Sequence, residues 1–286
     1  MPLSTSDFTF VSNLVYREAG IVLEPSKDYL VDARLTGLIR QLEIDSIETL
    51  VLKLRSPGAE ALSRQVVEAM TTNETSFFRD IKPFETLKKV VLPDLISRRS
   101  SQRSLSIWCA ASSSGQEPYS IAMTLCEAFP ELINWRLSFV ATDLSSQMIN
   151  RCRAGKFSQI EINRGLPAPL LVKYFKQSGA EWEIDHRLRK MIEFRELNLL
   201  LPWHNLHGLD IVFIRNVLIY FDAATKKQIL GRIRRLMSPD GYLFLGGAET
   251  TLNLDDQFER MAADKSGCYR IKNCSAGSIR PLVAAA

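Results

Sequence analysis

Residues 106–129 read SIWCAASSSGQEPYSIAMTLCEAF, and this stretch decides the fold. It parses as a strand (SIWCAA), a polar turn (SSSGQEP) and a helix (YSIAMTLCEAF). The strand delivers the backbone to a tight turn at Gly115, and the helix points its N-terminal amides back at whatever sits there. A second strand, LSFVATD at 137–143, ends in Asp143, a carboxylate suited to a ribose diol. The pair predicts an α/β sheet with an adenosine-like ligand at the strand ends. The chain lacks G-x-G-x-x-G, which argues against a pyrophosphate dinucleotide. A nucleoside without phosphates fits better, with S-adenosylmethionine the leading candidate.

Working outward, strands and helices alternate from about residue 81. A helix at 83–97 precedes segments 104–110, 117–129, 136–142 and 145–154. Strand 209–214, helix 223–237 and strands 241–246 and 267–272 follow. Alternation of this kind predicts a mostly parallel sheet covered on both faces. Residues 156–195, with NRGLPAP and a turn near Ser178-Gly179, interrupt it as a small antiparallel insertion. Residues 4–70 read as helices only, with apolar positions Phe8, Val11, Leu14, Val15, then Leu30, Ala33, Leu38, Leu42, then Leu50, Leu52, Leu54, Leu62, Val66, Met70. Asp7, Ser26 and Ser46 suit helix starts. The expected domains are 1–75 (helical), 76–275 (α/β, carrying the insertion at about 156–195) and a disordered tail at 276–286.

The 286 residues are 46% hydrophobic and 24% charged, the profile of a globular chain with ample core. The net charge is +4, yet residues 1–70 hold 7 Lys+Arg against 10 Asp+Glu. So mild a balance does not argue for nucleic acid. The five cysteines show no CxxC spacing, as in a reducing compartment, and Cys109 and Cys126 fall in apolar runs. No leader pattern opens MPLSTSDFTF, and no apolar run approaches the ~20 residues of a membrane span. A cytoplasmic location is expected.

Four segments would converge at the strand ends. TTNETSFFRD (71–80) offers Asn73, Thr75 and Arg79, although it also reads as a capped helix start. Glu117 begins a helix, where a carboxylate suits the dipole in any case. Asp143 could equally cap the helix starting at Ser145. DIVFIRNVLIYF (210–221) places Arg215-Asn216 directly after an apolar strand, where α/β sheets bind ligands. Tyr220 follows, or is simply the edge of the core.

Taken together and in this order, these segments closely resemble the chemotaxis receptor glutamate methyltransferase family, CheR. Its T-x-N-x-T-x-F-F-R block matches TTNETSFFRD, and its S-x-G-x-E-P-Y-S-I-A-M turn matches SSSGQEPYSIAM. A-T-D falls at 141–143, N-L-L at 198–200 and R-N-V-x-I-Y-F at 215–221. The resemblance spans roughly residues 5–272. It implies an N-terminal all-helical domain and a Rossmann-like S-adenosylmethionine-dependent methyltransferase domain with a small antiparallel β insertion. It implies cofactor contacts at Asn73, Thr75, Arg79, Glu117, Asp143, Asn198, Leu199, Arg215 and Asn216, with Arg79 and Tyr220 at the reacting centre. Ser112, Ser114 and Gln116 depart mildly from the usual turn. Gly246-Gly247-Ala248-Glu249 replaces a common G-H-S-E, so nothing catalytic is assigned there.

By the same resemblance, methyl transfer to a receptor glutamate gives a methyl ester and S-adenosylhomocysteine, with no metal. The partners would be cytoplasmic signalling helices of chemoreceptors, met by Arg34 and Arg40 of the second helix. Those two also read as part of a mixed, solvated surface. Some family members capture a receptor C-terminal peptide on the insertion by strand addition. No nucleic-acid partner and no membrane insertion are expected. Two other readings stand beside this one. A methyltransferase for nucleic acid or a small molecule would need features the RNVL segment lacks, such as an N-P-P-Y-like motif. A non-catalytic S-adenosylmethionine-binding module would bind the cofactor without transferring its methyl group.

Overall fold

The computed structural model describes residues 3–261 and 266–272; the expected tail at 276–286 lies outside the described residues. Four helices open the chain: α1 (Thr5–Ala19), α2 (Asp28–Gln41), α3 (Ile47–Leu54) and α4 (Glu60–Met70). The hydroxyls of Ser4 and Ser46 cap α1 and α3 by accepting the N–H of Asp7 and of Thr49. Asp7 is in the first turn of α1, as expected, whereas Ser26 falls in the 3-10 turn Pro25–Lys27. The inward stripe of α2 is Val31, Leu35 and Leu38, one residue on from the expected start, and Leu30 faces out. Leu52 is likewise exposed, because α3 buries Ile47, Leu50, Val51 and Leu54. Spacing alone leaves the phase of such short stripes open; packing between helices chooses it.

After the segment 71–81 come α5 (Lys82–Thr86), a π turn (Leu87–Val91) and α6 (Leu92–Arg98). The single helix expected at 83–97 is widened where Pro93, lacking an N–H, cannot continue the ladder. The alternating part then runs β1 (Ser104–Ala110), α7 (Gln116–Ala128), β2 (Arg136–Asp143) and α8 (Ser146–Ala154). The insertion holds β3 (Lys156–Ser158), α9 (Gln159–Asn163), α10 (Ala168–Tyr174), β4 (Phe175–Ser178), β5 (Glu181–Ile184) and α11 (His186–Lys190). The chain returns through β6 (Glu193–Glu196), β7 (Leu209–Ile214), α12 (Ala223–Leu236), β8 (Met237–Leu245), β9 (Phe258–Arg260) and β10 (Cys268–Ile271).

The main sheet has seven strands in the order β6-β2-β1-β7-β8-β10-β9. The first five are parallel; β10 runs antiparallel to both of its neighbours, β8 and β9. The chain leaves β1 toward β2 on one side and later returns to β7 on the other. That reversal opens a crevice at the carboxyl ends of the strands, where α/β sheets bind ligands. The small sheet, β3-β5-β4, is antiparallel throughout. The range expected for the insertion, to about 195, overlaps β6, which pairs in parallel with β2 from Val140↔Glu193. Nothing in the alternating EFRE says which sheet it joins; the neighbouring strand decides.

Each face of the main sheet has its own core. On one, Val11, Leu35 and Leu50 of the helical region share a cluster with Trp108, Val212 and Leu243. Trp108 is fully buried and its indole N–H donates to Thr142 Oγ1 at 3.0 Å. Replacing it with Ala would cost about 3–5 kcal/mol. On the other face, Phe77, Ile107, Tyr119, Phe213 and Phe244 pack together. The insertion joins this second core edge-on, with Phe157 and Phe175 at 5.0 and 5.7 Å from the Phe77 ring. Gly165 lies so close that a Cβ there would be 2.1 Å from the Phe77 carbonyl oxygen. The insertion thus anchors the segment that carries Arg79.

Candidate active site

The crevice is a cleft of about 930 Å³ including its open mouth. Asn73, Thr75, Arg79, Glu117, Asp143, Asn198, Leu199, Arg215, Asn216 and Tyr220 all line it. Arg34 and Arg40 do not. Ala19, Ile21, Leu197 and Ser113 of the SSSGQEP turn line it too; no motif pointed to the first three.

One wall is built by β1, β2 and the elements that follow them. Gly115, at φ 101, turns the chain into α7, and a side chain there would press on Cys152 and Tyr119. Asp143 ends β2 almost fully buried, with Oδ2 accepting the N–H of Ser113 at 2.8 Å and Oδ1 that of Ser145 at 2.9 Å. Burial pushes its carboxyl above the ordinary aspartate value, and the backbone N–H groups of Ser145, Ser113 and Leu144 pull it back. The helix-start reading is therefore partly realised, although the cap of α8 is the Ser145 hydroxyl. A carboxylate has about four acceptor sites, so acceptor capacity remains for a ligand hydroxyl. Glu68 of α4 crosses from the helical region to this wall: Oε2 accepts from Ser145 Oγ at 3.0 Å and Oε1 from Ser146 N at 3.2 Å.

The floor is an ion-paired knot. Arg215, its side chain 1% exposed, donates from Nη1 to Glu117 Oε2 at 2.5 Å and from Nη2 to Asp80 Oδ2 at 2.7 Å. Nη2 also reaches the Arg79 carbonyl at 3.2 Å, while buried Nε has no partner among the described residues. Glu117 and Arg215, expected as separate cofactor contacts, are thus partners of each other, because the ends of β1 and β7 are adjacent. Phe78, Asp80 and Ile81 have φ of 48, 68 and 46°, strained for non-glycine residues, β-branched Ile81 most of all. Arg215 from below and Ser120 Oγ, which accepts the Phe78 N–H at 2.9 Å, hold this turn. Arg79 itself reaches the Glu74 carbonyl at 3.0 Å. Asn73 accepts through its carbonyl from Ser113 Oγ at 2.8 Å, tying the segment to the first wall.

The opposite wall depends on distant partners. Asn198 donates its amide to the Glu18 carbonyl of α1 at 2.6 Å and accepts the Leu200 N–H at 2.9 Å, so much of its hydrogen-bonding capacity serves the backbone. Tyr220 ends a 3-10 turn, and its carbonyl accepts the Val22 N–H at 2.9 Å beside the bridge Ile21↔Phe221. Tyr16 donates its hydroxyl to Asp222 at 2.7 Å. Buried Glu249, to which the sequence reading assigned nothing, accepts four backbone N–H groups here.

Of the two basic residues expected to face a partner, Arg34 donates to the Met70 carbonyl at 2.5 Å and to Thr72 Oγ1 at 2.8 Å. It braces the segment leading to Asn73. Arg40 is exposed. Burial pushes the Cys109 and Cys126 thiols up and that of Cys152 to about 12, so these three stay protonated and unreactive near neutral pH. Among the described residues no group of three or more His, Cys, Asp or Glu is placed to hold a metal ion.

A parallel sheet with a tight turn after its first strand, an acid ending its second and a cleft between them defines a nucleoside-binding α/β enzyme of the S-adenosylmethionine-dependent methyltransferase class. The family model for the CheR methyltransferase, SAM binding domain, matches residues 73–266, and that for its all-alpha domain matches residues 6–71. The chain belongs to the CheR methyltransferase family. It is 42% identical to chemotaxis protein methyltransferase 1 of Pseudomonas aeruginosa, covering 95% of this chain and 100% of that one. It is equally 42% identical to chemotaxis protein methyltransferase Cher2 of Pseudomonas putida, over 94% of this chain and 100% of the relative. Identity to a chemotaxis protein methyltransferase of Vibrio parahaemolyticus is 36%, over 94% and 98% of the two chains.

Proposed function

We propose that the chain methylates glutamate side chains of chemoreceptors, taking the methyl group from S-adenosylmethionine and leaving S-adenosylhomocysteine. The observation that carries this is the convergence of Asp143, Arg79 and Tyr220 on one cleft in a chain that is similar to a chemotaxis protein methyltransferase over 95% of its length. The donor supplies an electrophilic methyl carbon on a sulfonium. The buried, twice-anchored carboxylate of Asp143 has lone pairs free for the ribose hydroxyls. Asn73, Thr75, Leu199 and Asn216 form the remaining contacts. Glu117 and Arg215 shape the floor and present the outer face of their ion pair to the polar end of the ligand.

A glutamate acceptor is ionised near neutral pH, so no general base is needed. What remains is alignment of the acceptor oxygen with the methyl carbon and sulfur, which in well-oriented systems supplies about 7–11 kcal/mol. Arg79, on its strained turn, orients the methionine carboxylate or the incoming glutamate. Tyr220 positions the acceptor oxygen through its hydroxyl. Carboxylate and sulfonium neutralise each other as they react, so a partly dry cleft favours the step.

The acceptor lies in the acidic signalling helices of a chemoreceptor, and exposed Arg40 is the residue of α2 left free to meet it; Arg34 is spent on the Met70–Thr72 backbone. β3 and β4, the edges of the small sheet, leave one side of each strand for an extended receptor peptide. No helix among the described residues is long and apolar enough to cross a membrane. We place the chain in the cytoplasm, where those receptor helices lie.

The test is transfer of labelled methyl from S-adenosylmethionine to receptor-enriched membranes. Base-labile label on a receptor band is expected. No label, with cofactor binding established by calorimetry, would overturn the catalytic reading in favour of a binding module.

A further inference from the structure

Glu249 follows β8 in the Gly246–Glu249 turn, a segment to which the sequence assigned nothing catalytic. Its carboxylate is buried, with both oxygens occupied by backbone. Oε2 accepts the N–H of Gly246 at 2.6 Å and of Asn216 at 2.8 Å. Oε1 accepts the N–H of Val217 at 2.9 Å and of Leu218 at 2.7 Å. Three consecutive amides of the loop after β7 are therefore bound to one side chain that arrives from the loop after β8. Val217 and Leu218 stand at the start of the 3-10 turn Leu218–Tyr220, where N–H groups lack partners within the turn. Asn216 is held at φ 59, a left-handed conformation that a fixed acceptor on its own N–H and the next two stabilises.

A second feature makes room for this arrangement. A Cβ on Gly246 would lie 2.7 Å from Glu249 Oε2 and 2.9 Å from the Asn216 nitrogen. Only glycine lets the carboxylate reach all four donors. On its far side the same loop is tied to the segment after α1 through Val22 and Tyr220. The loop is gripped at both ends, with a buried anion at its root and the side chain of Tyr220 presented to the cleft between.

We propose that Glu249 is a positioning residue for methyl transfer: it fixes the Asn216–Leu218 backbone and through it the placement of Tyr220. The assignment rests on the role given above to Tyr220. A neutral amide in place of the carboxylate would keep the volume but turn an N–H₂ toward backbone donors, leaving at least one of them unpaired.

The experiment compares Glu249→Gln, Tyr220→Phe and the double variant with the wild type, measuring kcat on receptor-enriched membranes, cofactor Kd by calorimetry and Tm. The expected result is a kcat at least tenfold lower for Glu249→Gln with Kd within threefold. The double variant should then fall no more than about twofold below Tyr220→Phe alone, because both changes remove the same placement. Wild-type turnover in Glu249→Gln, or losses that multiply in the double variant, overturns the proposal. Hydrogen exchange on the wild-type chain supplies a check that needs no variant to fold. The Asn216, Val217 and Leu218 amides should exchange as slowly as those of β7; fast exchange there also overturns it. If the wild type transfers no methyl group, the functional reading fails instead, and the exchange rates still decide whether the carboxylate holds the loop.

Discussion

The two walls of the cleft present similar polar side chains but are held by different means. At the ends of β1 and β2, Asp143 finds Ser113 and Ser145 in the turns that immediately follow its own strand and the neighbouring one. At the ends of β7 and β8, the loop carrying Asn216 and Tyr220 is fixed by Glu249 and Val22, and Arg215 at its start by Glu117 and Asp80. The first wall is assembled mainly by the strand–turn–helix unit itself, with Glu68 its chief visitor. The second exists only when the helical region and the two later strands have docked. Local construction gives a robust ligand cradle, whereas long-range construction makes the placement of Tyr220 sensitive to changes far from the chemistry.

The strongest challenge to this contrast is Asp143→Ala, which removes the proposed ribose acceptor and strands two buried N–H groups. Cofactor affinity should fall about a hundredfold, the scale of losing charge-assisted hydrogen bonds. A calorimetric Kd within threefold of wild type would remove Asp143 from the cradle. Next in size is Tyr220→Phe on the other wall. Turnover should drop roughly tenfold, the equivalent of one hydrogen bond made in the transition state, with Kd within twofold. Equal losses in both quantities would mean that the walls do not divide binding from alignment.

A smaller effect separates two arginines of the same helix. Arg40→Ala should raise the KM for receptor about two- to fivefold and leave cofactor Kd unchanged, as for an exposed charge. Arg34→Ala should weaken cofactor binding by a similar factor, because it releases the carbonyl of Met70 and the Thr72 hydroxyl beside Asn73. The reverse pattern in parallel titrations would return Arg34 to the partner surface.

The smallest effect concerns pH. Asp185 of the insertion accepts from Arg187, which holds its carboxyl at about 2 against the usual 3.8. A lowered folded value stabilises the fold above the ordinary value, and the gain disappears as pH falls toward about 2. Asp143 has the opposite sign, since burial raises it and the folded state is favoured as pH falls. The Tm gap between wild type and Asp185→Asn should therefore be present at neutral pH, shrink below the ordinary value of 3.8 and close as pH falls toward about 2. It should correspond to less than about 1 kcal/mol, because the partner Arg187 is exposed. A gap that persists at low pH would show that Asp185 acts as a helix cap independent of its charge.

Much of this molecule was legible before its structure. The run SIWCAASSSGQEP predicted strand, turn and helix, and β1 and α7 occupy those positions. Asp143 ends a strand as expected, and every residue named for the cofactor lines one cleft. The phase of α2, the sheet to which β6 belongs and β9 were not legible. Each depends on which neighbour an ambiguous short segment packs against.

By itself, then, the sequence determined the alternation of strands and helices, the turn at Gly115, the acid at the end of β2 and the family. These follow from periodicity and turn chemistry, which act over a few residues and are written directly in residue order. Tertiary structure alone decided that Arg215 pairs with Glu117, that Asn198 answers to α1, that Arg34 turns inward, and that Glu249 grips the Tyr220 loop. A hydrogen bond forms only when donor and acceptor come within about 3 Å. Between residues tens or hundreds of positions apart, that proximity is set by which strand ends the sheet brings side by side.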